Sequence, residues 1–221
     1  MDGQHYTLEY ILQTMSADVY RLNGDDGVAV DAAVAALKRG ELVVIPTETV
    51  YGLVADASVP GAADSIYAAK ERDAGKPLQL LVSGIDVIAA MGFELSEVER
   101  RLADSFWPGG LTLVVEKGGR SEGFRVPDSE VALEIVRRVG GALRSTSANT
   151  SGEPDALTSD DAIECLGDAV AVVLDGGRVE SGVASSVVRV GADGVIDVLR
   201  EGALPKSDII KVAQASRLSK M

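Results

Sequence analysis

Of 221 residues, one is cysteine and one is histidine. Cys165 has no partner for an internal disulfide. Its setting AIECLG carries helical apolar spacing, so it is expected in the core as a small hydrophobe. His5 lies near the N-terminus, which leaves neither a His-based zinc set nor a Ser-His-Asp hydrolase available. Basic charge is also scarce: 21 Lys+Arg face 34 Asp+Glu, for a net charge of −13. Tight binding to a polyanion needs a basic stripe, and here the overall field opposes one, so a basic pocket would have to be local. No segment approaches the roughly 18 uninterrupted apolar residues of a membrane span. The opening MDGQHYTLEY lacks the basic-then-apolar order of a secretory signal. A soluble, cytoplasmic protein with no membrane contact is expected. Neither GxxxxGK(S/T) nor GxGxxG occurs, so both standard glycine-rich phosphate motifs are missing.

What is present alternates between two periods. DDGVAVDAAVAALKRG places Val30, Ala33, Val34 and Leu37 on one helical face, opens with acids and closes with Lys38, Arg39 and Gly40. ELVVIP follows as a buried strand ended by Pro46. AADSIYAAKER, LSEVERRLADSF, SEVALEIVRRVGG, TSDDAIECLG and KSDIIKVAQASRL read as further helices, with Ser96 a candidate cap and Thr158 and Asp161 in capping-box spacing. LQLLVS, LTLVVE, GFRVP, GALRST, AVAVVLDGG, SSVVRV and VIDVLREG read as strands. The expected fold is a single α/β domain over residues 24–206, a twisted mixed sheet flanked by helices. Residues 1–23 are read as an N-terminal extension and 207–221 as a C-terminal helix or tail.

Polar residues gather at strand ends, where open α/β sheets bind ligands. PTETVYGL puts Thr47, Glu48 and Thr49 at the exit of the first strand; taken alone it reads as a turn with an exposed tyrosine. AAKERDAGKP carries Lys70, Arg72 and Lys76 within seven residues. Either they solvate a helix C-terminus, or the helix stops there and they converge as a phosphate clamp. In WPGGLTLVV, Trp107 is expected in the core. GFRVPDSE holds Arg125 inside a strand between Phe124 and Val126, where an unpaired guanidinium is costly and needs a carboxylate from the protein or a ligand. RSTSANTSG collects Ser147 and Asn149 among small hydroxyl and amide residues at another strand exit, as a capped loop or a polar cradle. VASSVVRV and VLREG add Ser185 and Arg200.

In order and approximate spacing, PTETVYGL, IYAAKER with KPL, WPGGLTLVV, FRVPD, STSANTSGEP and SSVV with VLREG resemble the YrdC-like threonylcarbamoyl-AMP synthase family in its short form, over about residues 28–204. The resemblance implies an ATP-binding nucleotidyltransferase that forms threonylcarbamoyl-AMP and pyrophosphate from L-threonine, bicarbonate and ATP with Mg2+, and partner proteins that transfer the threonylcarbamoyl group to adenosine 37 of tRNA. It implies threonine contacts at Thr47, Arg125, Ser147 and Ser185. It implies nucleotide contacts at Lys70, Arg72, Lys76, Asn149 and Arg200, with Lys70 and Arg72 serving catalysis. No protein metal ligand is implied, and direct tRNA binding is expected to be weak or absent.

The chain departs from the family pattern at several positions. Asp73 stands where many relatives have proline, Leu81 where many carry a threonine-contacting histidine, Ser186 in place of the usual threonine, and PGG in place of PGP. Three other readings remain at this stage: a YciO-type relative with a different activity, a double-stranded RNA-binding module, and a non-enzymatic binding protein.

Overall fold

The computed structural model describes residues 17–215. In chain order the elements are β1 (Asp18–Arg21), α1 (Gly27–Lys38), β2 (Val43–Ile45), β3 (Gly52–Asp56), α2 (Ala62–Ala69), β4 (Gln79–Val82), α3 (Ile85–Ala90), α4 (Glu97–Phe106), β5 (Leu111–Lys117), β6 (Arg120–Arg125), α5 (Glu130–Val139), β7 (Ala142–Ser147), α6 (Ser159–Leu166), β8 (Val172–Asp175), β9 (Ser186–Val190), β10 (Ile196–Arg200) and α7 (Lys206–Gln214). The ten strands form one mixed sheet in the order β1-β8-β2-β3-β7-β4-β6-β5-β9-β10.

Alternation along each strand assigns the two faces. Val43, Val54, Leu81, Leu143 and Leu174 join residues of α1 and α5 in one core cluster. Their strand neighbours Val44, Leu53 and Val173 point the other way, into a cluster with α2 and α6. Leu80, Leu111, Leu113 and Phe124 meet α3, α4 and α7 on that same second face. Arg144 and Glu122 pair at 2.6 Å between these two clusters, so the first residue of RSTSANTSG faces away from the rest of the site. The expected capping box forms between Thr158 and Asp161 on α6, and the candidate cap Ser96 closes a second box with Glu99 on α4.

Several elements depart from the sequence reading. Within the stretch read as an extension, Asp18–Arg21 pairs in parallel with β8 as an edge strand; residues 1–16, His5 included, lie outside the described residues. Helix α7 is integral to the domain, because Ile209 and Ala213 are buried in the third cluster and Arg101 Nη2 donates to the Ala213 carbonyl at 2.9 Å. Strand β3 is buried on both faces, so its apolar run lacks the alternation that marks a half-buried strand. Cys165 is half-buried and free rather than deep in the core. Trp107 packs at the edge of the third cluster with Nε1 donating to the Leu111 carbonyl at 2.7 Å.

Candidate active site

The loop after β2 is built by its own hydroxyls. Thr47 Oγ1 donates to the Val50 carbonyl at 2.7 Å and accepts from the Thr49 amide at 3.3 Å, the local bonding that lets threonine organise a turn. Tyr51 is fully buried, not exposed: its hydroxyl donates to the Gly177 carbonyl at 2.7 Å and accepts from the Gly176 amide at 3.0 Å, tying the loop to the exit of β8. Burial pushes its phenol above the ordinary range.

Helix α2 stops as the clamp reading requires. Lys70 is its C-cap, Glu71 takes a left-handed φ of 49°, and the Arg72 amide bonds back to the Tyr67 carbonyl at 2.9 Å, closing the last turn. Lys70 is not a solvated helix end: it is 1% exposed. Its Nζ donates to the carbonyls of Ser147 and Asn149 and, at 3.1 Å, to Asn149 Oδ1, so all three N–H groups serve the β7 exit. Burial, and then Arg72, pull the ammonium down to about 8, while Asp155 acts in the opposite direction. Ser147 Oγ donates to Asn149 Oδ1 at 2.5 Å and Asn149 Nδ2 to the Glu153 carbonyl at 2.5 Å, completing a bonded cradle.

Arg72 donates to the Lys76 carbonyl at 3.3 Å and the Pro77 carbonyl at 3.2 Å, which hold its guanidinium over the entry to β4. Lys76 contributes that carbonyl to the clamp while its side chain is exposed. Asp73 Oδ1 accepts from the Gly75 amide at 2.8 Å, so its carboxylate serves its own turn.

Arg125 ends β6, is 3% exposed and faces away from Phe124, as the alternation requires. It meets a protein carboxylate: Nη2 lies 2.8 Å from Glu48 Oε1. Nη2 also donates to Thr49 Oγ1 at 2.8 Å and Nε to the Gly109 carbonyl at 3.1 Å. Leu81, beside Arg125 in the β4–β6 register, is 1% exposed in the first core cluster and offers no polar contact.

The far wall is a hydroxyl chain. Ser185 Oγ lies 2.8 Å from Thr112 Oγ1, which donates to Gln79 Oε1 at 2.6 Å. Arg200 Nη2 donates to the Ser185 carbonyl at 2.8 Å and to its Oγ at 3.2 Å. Burial, with Arg125 and Arg72 nearby, holds the Arg200 guanidinium below its ordinary range, although Asp155 opposes the shift. Ser186 lies outside the cleft, since its hydroxyl donates to the Leu204 carbonyl at 2.7 Å and accepts the Gly202 amide at 2.9 Å. Gly202 permits this fold-back: a Cβ there would lie 2.2 Å from the Ala184 carbonyl oxygen.

Shared hydrogen bonds, and the charges that Lys70 and Arg200 feel from Arg72 and Arg125, therefore gather Thr47, Lys70, Arg72, Arg125, Ser147, Asn149, Ser185 and Arg200 at one set of strand exits, the candidate cleft, while the Lys76 side chain is exposed. Sequence reasoning gave no role to Glu48, Thr49, Gln79, Thr112 or Asp155. For Gln79 and Thr112 the available signal is a polar residue on alternate positions of the otherwise apolar strands LQLLV and LTLVV. A surface hollow of about 820 Å3, lined in part by Asp18, Arg39, Glu41 and Asp168, lies at the opposite end of β2 and contains none of the candidate residues. Among the described residues no three His, Cys, Asp or Glu side chains gather as a metal site, and no helix is long and apolar enough to cross a membrane.

Cationic and hydroxyl side chains converge at the strand exits of an α/β sheet, an arrangement chemically suited to a small anionic ligand. Residues 35–202 match the Sua5/YciO/YrdC family, described as Telomere recombination, and the chain belongs to this family. A Mycobacterium tuberculosis relative is 37% identical over 191 residues, which is 82% of this chain and 87% of that one. The threonylcarbamoyl-AMP synthase of Pyrococcus abyssi is 33% identical over 196 residues, 84% of this chain and 57% of that protein. The crystal structure of P. abyssi Sua5 complexed with L-threonine superimposes with a TM-score of 0.80 at 31% identity, covering 89% of this chain and 60% of that one. The present chain thus spans less than two thirds of the P. abyssi protein. E. coli YciO, at 20% identity and a TM-score of 0.73, shares the fold.

Proposed function

We propose that this protein is an L-threonylcarbamoyladenylate synthase acting in the cytoplasm. The threonine ammonium gives up a proton, the neutral amine condenses with bicarbonate with loss of water, and an oxygen of the resulting carbamate attacks the α-phosphorus of ATP. The bond from that phosphorus to the bridging oxygen breaks, and pyrophosphate leaves. The product then serves partner proteins that modify adenosine 37 of tRNA. The observation that carries this reading is the placement of Arg72 and Arg200 on one cleft with Arg125, beside the cradle that Lys70 orders.

Such a displacement needs alignment and charge neutralisation more than a side-chain nucleophile. Arg72 and Arg200 present guanidinium groups suited to forking phosphate oxygens. Lys70 adds positive charge while its N–H groups hold Ser147 and Asn149 in place for amino acid and nucleotide. Arg125 receives the threonine carboxylate, with Thr47 shaping the loop opposite and Ser185 completing the wall. Magnesium would enter with ATP and help to neutralise the phosphate charge. The L-threonine complex of the P. abyssi relative supports the amino-acid half of this assignment.

The test is pyrophosphate release by the full chain with Mg2+, ATP, L-threonine and bicarbonate, each omitted in turn. Release should fall to background without threonine or without bicarbonate. Equal release without threonine would refute the assignment.

A further inference from the structure

We propose that Glu48 receives the ammonium group of the amino-acid substrate, forming with Arg125 a two-sided clamp that selects α-amino acids over carboxylic acids lacking the amine. The proposal rests on the reading of this cleft as a threonine site.

Both carboxylate oxygens of Glu48 are shielded from solvent, and neither accepts a hydrogen bond within the protein. The pairing with Arg125 does not change this. Glu48 Oε1 is 2.8 Å from Arg125 Nη2, but the hydrogen bonds that this guanidinium makes go to Thr49 Oγ1 and the Gly109 carbonyl. Charge is therefore balanced while the carboxylate lone pairs stay empty, a costly arrangement for a desolvated acceptor. A ligand that brings donors relieves it. An ammonium group carries three donors and the matching charge.

The position of Glu48 is imposed rather than incidental. Thr47 Oγ1 bonds the amides of Thr49 and Val50 and the Val50 carbonyl, so the loop clamps the backbone on both sides of Glu48. Arg125 is fixed from the sheet side, and its Nη1 has no protein partner among the described residues, which leaves that edge for a ligand carboxylate. Glu48 and Arg125 in contact present one negative and one positive group, the complement of a zwitterion whose ammonium and carboxylate share one carbon. A hydroxy acid would satisfy Arg125 yet place its own carboxylate beside Glu48 with no ammonium to offset the repulsion. Glu48 thereby acts as a specificity determinant.

Calorimetric titration of the full chain with L-threonine and with 3-hydroxybutyrate, which lacks only the amine, tests this. Wild type should bind 3-hydroxybutyrate at least tenfold more weakly than L-threonine. Glu48→Gln should weaken L-threonine roughly tenfold to a hundredfold, the range for a hydrogen bond to a charged group. It should leave 3-hydroxybutyrate unchanged or tighter, so that discrimination collapses. Unchanged or tighter L-threonine binding by Glu48→Gln would overturn the proposal, marking Glu48 as a stand-in for the substrate carboxylate on Arg125. Equal weakening of both ligands would also overturn it, in favour of a structural role. Wild type that binds neither ligand refutes the threonine reading itself, and the proposal with it. Should Glu48→Gln fail to fold, the wild-type ratio decides alone, and equal affinity for the two ligands counts against the clamp.

Discussion

Replacing Lys70 with alanine separates a structural role from a solvated helix end more sharply than any other substitution. The change takes their Lys70 donor from two acceptors, the carbonyls of Ser147 and Asn149, while Asn149 Oδ1 keeps the Ser147 hydroxyl. A buried acceptor left unpaired costs about 1–3 kcal/mol. Against this, removal of a poorly solvated charge relieves a burden on the order of 3 kcal/mol, the equivalent of the shift from 10.5 to about 8. Two acceptors at about 2 kcal/mol each slightly outweigh one charge, so the expected net loss is about 1 kcal/mol. For a chain of this size that lowers Tm by about 2–4 °C. Turnover should fall by a hundredfold or more, since the cradle and a cation beside the phosphates disappear together. Thermal melts by circular dichroism, run with pyrophosphate release on the same preparations, measure both. A Tm within about 1 °C of wild type would refute the bonded Lys70 and restore the exposed helix end that the sequence alone allows.

Arg125→Ala removes the Thr49 and Gly109 bonds and the charge partner of Glu48, whereas Arg125→Lys keeps a positive charge but loses the planar fork that makes those bonds. Arg125→Ala should therefore cost about 2–4 kcal/mol in chemical denaturation and Arg125→Lys less, and with both the threonine KM should rise far more than the ATP KM; an unchanged midpoint for Arg125→Ala would show that the Glu48 pairing is not formed in solution. With Lys70 depressed to about 8, the native state releases this proton before the unfolded chain does. Stability should therefore rise as pH increases from about 8 toward the ordinary lysine range, while turnover that needs the ammonium declines over the same window; parallel decline of both in a pH series would contradict the assignment. Gly202→Ala drives a methyl group onto the Ala184 and Ser185 backbone. It should cost about 2 kcal/mol or more and raise the ATP KM by displacing Arg200, checked by melts and nucleotide titration; a neutral effect would mean the 200–204 segment is loosely held.

Residue order alone carried much of this protein. Helix and strand periods marked most elements because each buries one stripe or one face, and Ser96 and Thr158 marked their helix starts because capping is a contact between near neighbours. The isolated Arg125 announced a need for a carboxylate because apolar residues flank a charge there. Strand β3 escaped because burial on both faces erases alternation, and β1 because four residues at an edge show no period. What only the tertiary structure decided were the partners. Sequence spacing cannot say that the helix-end cation Lys70 is buried against a strand exit 77 residues away, that the carboxylate facing Arg125 comes from Glu48 on another loop, or that Ser185 rather than Ser186 faces the cleft. These contacts depend on the order in which strands pair across the sheet, and that order is set by packing between segments distant in the chain.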